Sequence, residues 1–115
     1  MGSKLKRINQ SKFHSQRGRC FYCQQPMWID SPTEFCRNHG MTMRHAAKFQ
    51  STAEHLVARC DGGKDNPSNI VAACMYCNRT RHRTKEPQQS ATYLEKVRAR
   101  LSMGRWHGFV ARQLF

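Results

Sequence analysis

Residues 52–78 have the sequence TAEHLVARCDGGKDNPSNIVAACMYCN, and most of the fold prediction rests on them. The alternating and β-branched residues at 51–58 predict a short strand. The run DGGKDNP at 61–67 predicts a turn and loop, and the apolar residues 69–73 predict a second short strand. A basic helix over 78–83 is expected to follow, so the stretch predicts a ββα unit.

Four of the six cysteines occur in two closely spaced pairs, Cys20 with Cys23 and Cys74 with Cys77. A Cys-x-x-Cys spacing allows a tight turn to direct both sulfurs at one tetrahedral ion, and two such pairs are typical of structural zinc. A closed site of four sulfurs has no open position for water. We therefore expect this zinc to stabilise the fold and not to catalyse.

Other interpretations of the cysteines stay open at this point. The two pairs could instead form two disulfides or remain as four free thiols. Cys36 and Cys60 lie outside the pattern and are expected to be ordinary thiols, although either could replace one of the four ligands.

Length and composition predict one small domain. The chain has 115 residues, of which 38% are hydrophobic, and a core this limited usually needs a metal or disulfides to stabilise it. The charge is also unusual, because the chain has 20 Lys and Arg but only 7 Asp and Glu, which gives a formal net charge of +13. Such an excess indicates a polyanionic partner, although a solubilising role would also use some of it.

The charge alone does not separate DNA from RNA or from an anionic membrane surface. No apolar run is long enough to span a bilayer or to form the core of a signal peptide. Without a signal peptide, six cysteines favour a reducing compartment, where thiolates bind metals more often than they form disulfides. We therefore expect a cytoplasmic protein that does not associate with membranes.

The chain divides into three predicted segments. Residues 1–19 form a basic N-terminal arm that is expected to be mobile or weakly helical. Residues 20–86 form the core, in which apolar residues of 41–49 predict one short helix. Residues 87–115 form a helix, with Ser90 as a candidate cap and Gly104 as its stop, and then a basic aromatic tail. One face of that helix is predicted to contain Tyr93, Leu94, Val97 and Leu101.

Several short motifs follow one another in a specific order. They are Glu54-His55-Leu56, Gly62-Gly63, Asn69-Ile70 and the second cysteine pair followed by Asn78. This order resembles the His-Asn-His (HNH) endonuclease family with a four-cysteine zinc site, in a variant whose last motif residue is Asn. The resemblance covers about 20–83 and implies an α+β fold, a small ββα-metal core with a four-cysteine zinc ribbon and flanking helices.

The resemblance also implies roles for these residues. His55 would be the general base, Asn69 would fix the loop and that histidine, and Asn78 would bind the catalytic metal. Glu54 takes the place of the family's acidic ligand, and since neighbours on a strand point to opposite faces, a twist or bulge is expected there. His82 lies four residues after Asn78, so it is a further candidate ligand or a phosphate or solvent contact.

These roles agree with elementary chemistry. Neutral imidazole, with an unperturbed pKa near about 6.5, can take a proton from water near neutral pH. Oxygen ligands such as those of Glu54 and Asn78 favour Mg²⁺ or Mn²⁺ in the active site. The resemblance implies that cleavage leaves a 5′-phosphate and a 3′-hydroxyl. For His14, His39, His45 and His107, an ordinary structural role is the expectation.

Basic residues near the motif are expected to hold the nucleic acid. Those closest in sequence are Arg79, Arg81, Arg83 and Lys85. A solvated helix face explains the later cations Arg98, Arg100, Arg105 and Arg112 nearly as well as an extended phosphate track. Trp106 and Phe109 could stack on bases, but burial against the core is the more frequent outcome.

Two other functions compete with a DNA endonuclease. A zinc-stapled nucleic-acid-binding module would share the charge and the cysteines, yet it has no reason to place Glu54, His55 and Asn78 together. A dithiol reductase would use the Cys-x-x-Cys pairs, but the βαβ context of that chemistry is missing. A monomer or homodimer fits the length, and small members of the family that the chain resembles occur in phages and mobile elements.

Overall fold

The computed structural model describes residues 2–110 and consists of five helices and one two-stranded sheet over that range. In chain order the elements are α1 (Ser3–Ser15), α2 (Pro32–His39), α3 (Met43–Ala46), β1 (Ser51–His55), β2 (Ile70–Cys74), α4 (Met75–Arg81) and α5 (Ser90–Ser102). Short 3₁₀ turns occupy Ala47–Phe49 and Arg59–Asp61.

The two strands pair antiparallel, and helix α4 follows β2 without a linker. Pairing is regular from Ser51 opposite Cys74 to His55 opposite Ile70. Cys74 ends β2 and also caps α4, because its sulfur accepts a hydrogen bond from the Cys77 amide. The predicted ββα unit and the α+β class are confirmed.

Helix α1 differs from the mobile arm that the sequence predicts. This helix of 13 residues packs against both strands, and Asn9 is 2% exposed while it exchanges hydrogen bonds with Ser51. Just beyond the helix, the Gln16 amide donates to the Ala72 carbonyl and accepts from the Ala72 N–H, each at 2.8–2.9 Å. Polar side chains that satisfy the sheet backbone therefore anchor this helix, and a search for apolar residues does not detect them.

Helix α5 agrees with its predicted face. Tyr93 and Val97 are buried, and Leu94 and Leu101 pack against the same core. Ser90 is the first residue of the helix and Gln89 is the cap residue, so the expected serine cap is wrong. The helix ends at Ser102, shortly before Gly104 with φ of +70°.

Two apolar clusters form the interior. The larger surrounds the paired cysteines and includes Tyr22, Tyr93 and Val97. The smaller contains Phe35, Ala46 and Phe49. The single helix expected within 41–49 is instead the short α3 and a 3₁₀ turn, an arrangement that buries Ala46 and Phe49.

None of the helices in residues 2–110 is long and apolar enough to cross a lipid bilayer.

Candidate active site and metal centre

The four paired cysteines converge on one point. The sulfurs of Cys20, Cys23, Cys74 and Cys77 all lie within 4.8 Å of one another, and each residue is at most 2% exposed. Every cysteine of the chain, including Cys36 and Cys60, falls within the described residues and is free of disulfides there. Such a cluster can hold a structural metal such as zinc.

Hydrogen bonds to the sulfurs support this interpretation. The amides of Tyr22 and Cys74 donate to the Cys20 sulfur at 3.4 and 3.3 Å. The indole N–H of Trp106 donates to the Cys77 sulfur at 3.3 Å. Donors around sulfur stabilise thiolates, which are the form that binds zinc. The neighbouring sulfurs of Cys20, Cys23 and Cys74, followed by burial, raise the pKa of the Cys77 thiol. Four thiolates this close together need a cation to compensate their charge.

The tail after α5 packs on this centre and on the smaller cluster. Trp106 makes edge-to-face contacts with Tyr76 and Tyr93, in addition to its bond to sulfur. Phe109 packs beside Phe35 and Phe49, and His107 is buried. Both aromatic residues considered for base stacking therefore contact the core.

A second centre lies where β1 ends beside α4. A shallow cavity of about 260 Å³ is lined there by Glu54, His55, Arg59, Asn78 and His82. The Asn78 amide nitrogen donates to the Thr52 hydroxyl at 3.0 Å and to the Ala53 carbonyl at 3.2 Å. These two bonds fix the side chain against β1 and leave its amide oxygen as the atom that can bind a cation.

Glu54 lies at the base of this cavity and is 1% exposed. One carboxylate oxygen accepts from the Tyr22 hydroxyl at 3.0 Å and from Arg81 at 3.3 Å, and the other contacts His82 Nε2 at 2.8 Å. Burial, followed by the charge of Glu54, raises the pKa of Tyr22, so its hydroxyl stays a donor. Glu54 and His55 line the same cavity although their pairing with β2 is regular, so of the expected twist or bulge the bulge is wrong.

The prediction that Arg81 contacts phosphate is wrong. Its side chain is 2% exposed, and its guanidinium pairs with Glu54 and donates to the carbonyls of His55 and Leu56. Arg81 lies four residues after the buried Cys77, so both face the interior from one side of α4. Its charge compensates Glu54 and ties the end of β1 to the helix.

The other predicted cations that the structure describes are exposed. Arg79, Arg83 and Lys85 are exposed. Arg98, Arg100 and Arg105 are exposed as well, whereas Arg112 lies outside the described residues.

His55 has partners that the sequence interpretation missed. Its Nε2 lies 2.7 Å from an Asp65 carboxylate oxygen, and Arg59 binds both oxygens of Asp65 at 3.0 and 3.2 Å. The hydrogen bond from His55 and then the charge of Arg59 lower the pKa of Asp65 below its ordinary value. Asp65 is an acidic residue in the loop DGGKDNP, where it looks like an ordinary turn residue until the fold brings it to His55.

Asn69 fixes the loop but does not bond to His55 directly. Its amide oxygen accepts from the Val57 N–H at 2.8 Å, and its amide nitrogen donates to the carbonyls of Val57 and Lys64. Gly63 lies so close to the Val57 carbonyl that any added Cβ would overlap it. The Gly-Gly and Asn elements of the motif therefore close the loop that carries Asp65.

Two antiparallel strands joined by a closed loop, followed by a helix that faces a histidine, form a ββα-metal fold with a four-cysteine centre. Comparison with known families agrees: residues 34–84 match the family model described as HNH endonuclease. These residues are therefore similar to an HNH endonuclease domain, and a four-cysteine site lies beside them. The matched span includes the whole cavity and begins after Cys20 and Cys23. No curated protein matches the chain.

Proposed function

We propose that this protein is a metal-dependent endonuclease that hydrolyses phosphodiester bonds of DNA. The observation that carries the proposal is the cavity at the end of β1, because it combines a histidine with three side chains suited to a cation. A module that only binds nucleic acid has no use for this combination.

The residues around the cavity fit a divalent metal. Asn78 and Glu54 offer oxygens and His82 offers a ring nitrogen, a donor set that suits Mg²⁺ or Mn²⁺. Because His82 Nε2 lies 2.8 Å from a Glu54 oxygen, the two side chains can bind one cation together if it displaces the proton between them. When bound, such a cation stabilises the negative charge that develops on the phosphate and its leaving oxygen.

His55 is the proposed general base. Its side chain is 13% exposed, so it reaches the cavity while its ring is held in place. The imidazole takes a proton from water as the water oxygen bonds to phosphorus and the bond from phosphorus to the 3′ oxygen breaks. The leaving 3′ oxygen takes a proton from solvent, so the products are a 5′-phosphate and a 3′-hydroxyl. General-base catalysis of this kind contributes about 10²–10⁴-fold to the rate.

Exposed cations beside the cavity are proposed to hold the DNA backbone. Arg79, Arg83 and Lys85 follow directly on from the cavity residues of α4, and a net charge of +13 adds general attraction to phosphates. A monomer has one such cavity and is expected to nick, whereas paired cuts need a homodimer or two visits. We place the activity in the cytoplasm, of a phage or mobile-element host for instance, where thiols stay reduced for zinc.

The test is cleavage of supercoiled plasmid with Mg²⁺ or Mn²⁺. Wild-type protein and His14→Ala, a change at an exposed histidine on α1, are expected to nick the plasmid, and DNA ligase should reseal the nicks. His55→Ala and an EDTA sample should leave the plasmid intact. Binding without cleavage under every metal tested would contradict the proposal and favour the binding module.

A further inference from the structure

We infer that Asp65 is a positioning residue for His55: it holds the imidazole with its proton on Nε2 and leaves Nδ1 as the nitrogen that accepts a proton from water. The part of this inference that concerns the reaction rests on the proposed nuclease function. The part that concerns the imidazole proton does not.

The hydrogen bond itself determines the position of the proton. At 2.7 Å, the contact between His55 Nε2 and Asp65 is short, as charge-assisted bonds are. An ionised carboxylate can only accept, so Nε2 must donate. The Nε of Arg59 also approaches His55 Nε2, at 3.3 Å, but a nitrogen that carries a proton cannot accept at the same time. Arg59 is therefore a partner of Asp65 and not of the imidazole.

The surrounding loop is built to keep Asp65 in this place. Asn69 donates to the carbonyl of Lys64, the residue directly before Asp65, at 3.0 Å. Gly63 allows the chain to pass against the Val57 carbonyl on its way to Asp65. Arg59 binds both oxygens of the carboxylate, at 3.2 and 3.0 Å. Asn69 and the glycines thus act on His55 through Asp65.

The first experiment measures the proton directly by nitrogen-15 NMR of the histidine rings at mildly alkaline pH. The wild-type spectrum is expected to show His55 protonated on Nε2. Asp65→Ala should return the ring towards the tautomer mixture of a free imidazole and Asp65→Asn should shift it towards the Nδ1–H form, while Asp61→Ala, which removes an exposed acid from the same loop, should keep the wild-type spectrum. A wild-type ring protonated on Nδ1, or a ring unchanged by Asp65→Ala, would overturn the inference. This readout does not depend on whether the protein cuts DNA.

The second experiment compares three substitutions of Asp65 in the plasmid assay. Asp65→Ala is expected to lower kcat about 100-fold with KM nearly unchanged, within the range that a general base contributes. Asp65→Asn should be as severe, because an amide can donate to Nε2 and favour the wrong tautomer; the same change in a Ser-His-Asp triad costs about 10⁴-fold. Asp65→Glu should recover part of the rate.

A merely structural role gives the opposite order. The nearly isosteric Asn would then be mild, and Ala would be the damaging change. Wild-type rates in Asp65→Ala, alongside an inactive His55→Ala, would overturn the positioning role and leave the nuclease function standing. Inactive wild-type protein would instead refute the proposed function, and the NMR result would still decide the tautomer.

Discussion

The two candidate metal centres share helix α4 but differ in how open they are to solvent and in the chemistry of their donor atoms. The four cysteines are at most 2% exposed and surround their centre completely. The second centre lies at a cavity where the His82 side chain is 31% exposed, and its donors are oxygens and nitrogen. The adjacent residues Cys77 and Asn78 belong one to each centre. The difference supports our proposal that the closed centre of four cysteines fixes the start of α4, and that the open centre of Glu54, Asn78 and His82 beside it carries the chemistry.

This contrast leads to a general expectation. Changes at the closed centre should remove the fold and all activity together. Changes at the open centre should remove activity and leave the fold.

The largest effect is expected from Cys74→Ser. Structural zinc contributes apparent binding energies of about 10–16 kcal/mol in zinc-finger peptides, which matches or exceeds the whole stability of a small domain. Serine can still cap α4. A loss of structure would therefore be due to the loss of the metal and not to the loss of the cap. Circular dichroism and metal analysis should show an unfolded, zinc-free chain. Cys60→Ser, at an exposed cysteine, should stay folded with zinc bound; equal behaviour of both variants would contradict the closed centre.

A smaller but still large effect is expected from Arg81→Met, which tests the link between the two centres. Removing one partner of a buried ion pair leaves Glu54 uncompensated and costs about 3–5 kcal/mol. Urea unfolding should show this loss. Arg79→Met, at an exposed arginine two residues earlier, should change stability by less than about 0.5 kcal/mol. A neutral Arg81→Met would mean that the Glu54 pair does not hold α4.

Trp106→Phe tests the hydrogen bond that supports the closed centre. The ring is kept while the N–H bond to the Cys77 sulfur is lost, and changes of such supporting bonds lower metal affinity about 10–100-fold. Competition with a chelator should show zinc binding weakened about tenfold. Trp28→Phe loses an indole bond to the Ala46 carbonyl and should leave zinc affinity as it was. If both variants bind zinc equally well, Trp106 does not support the site.

The smallest effect is expected on DNA binding, from the exposed cations beside the open centre. Neutralising Arg83 and Lys85 with glutamine should reduce the slope of log affinity against log salt by about 0.9 for each duplex phosphate that the variant no longer binds. Binding is best measured in a His55→Ala background, so that the DNA stays intact. Arg37→Gln on α2 is the control cation. A slope unchanged in the double variant would place the DNA on another face.

Much of both centres could be predicted from sequence because their residues are close along the chain or follow a fixed spacing. The cysteine pairs, the two strands and the order of Glu54, His55, Asn69 and Asn78 are of this kind. The buried face of α5 could also be predicted from the sequence, since its apolar residues repeat with the helical period.

The parts that could not be predicted depend on contacts between distant or polar residues. Helix α1 is anchored by Asn9 and Gln16, whose polar side chains resemble those of a solvated arm. Arg81 looks like its exposed neighbours until helix geometry places it beside Glu54. Asp65 has no signature other than its turn, because its role depends on loop closure by Asn69.

The most direct test of the two-centre account measures zinc content and DNA cleavage on the same samples. Wild-type protein dialysed against a weak chelator should retain one zinc and should cut plasmid only after Mg²⁺ or Mn²⁺ is added. The His55→Ala variant should contain the same amount of zinc and should be inactive. Cleavage that needs no second metal, or that survives in His55→Ala, would contradict the assignment of chemistry to the open centre.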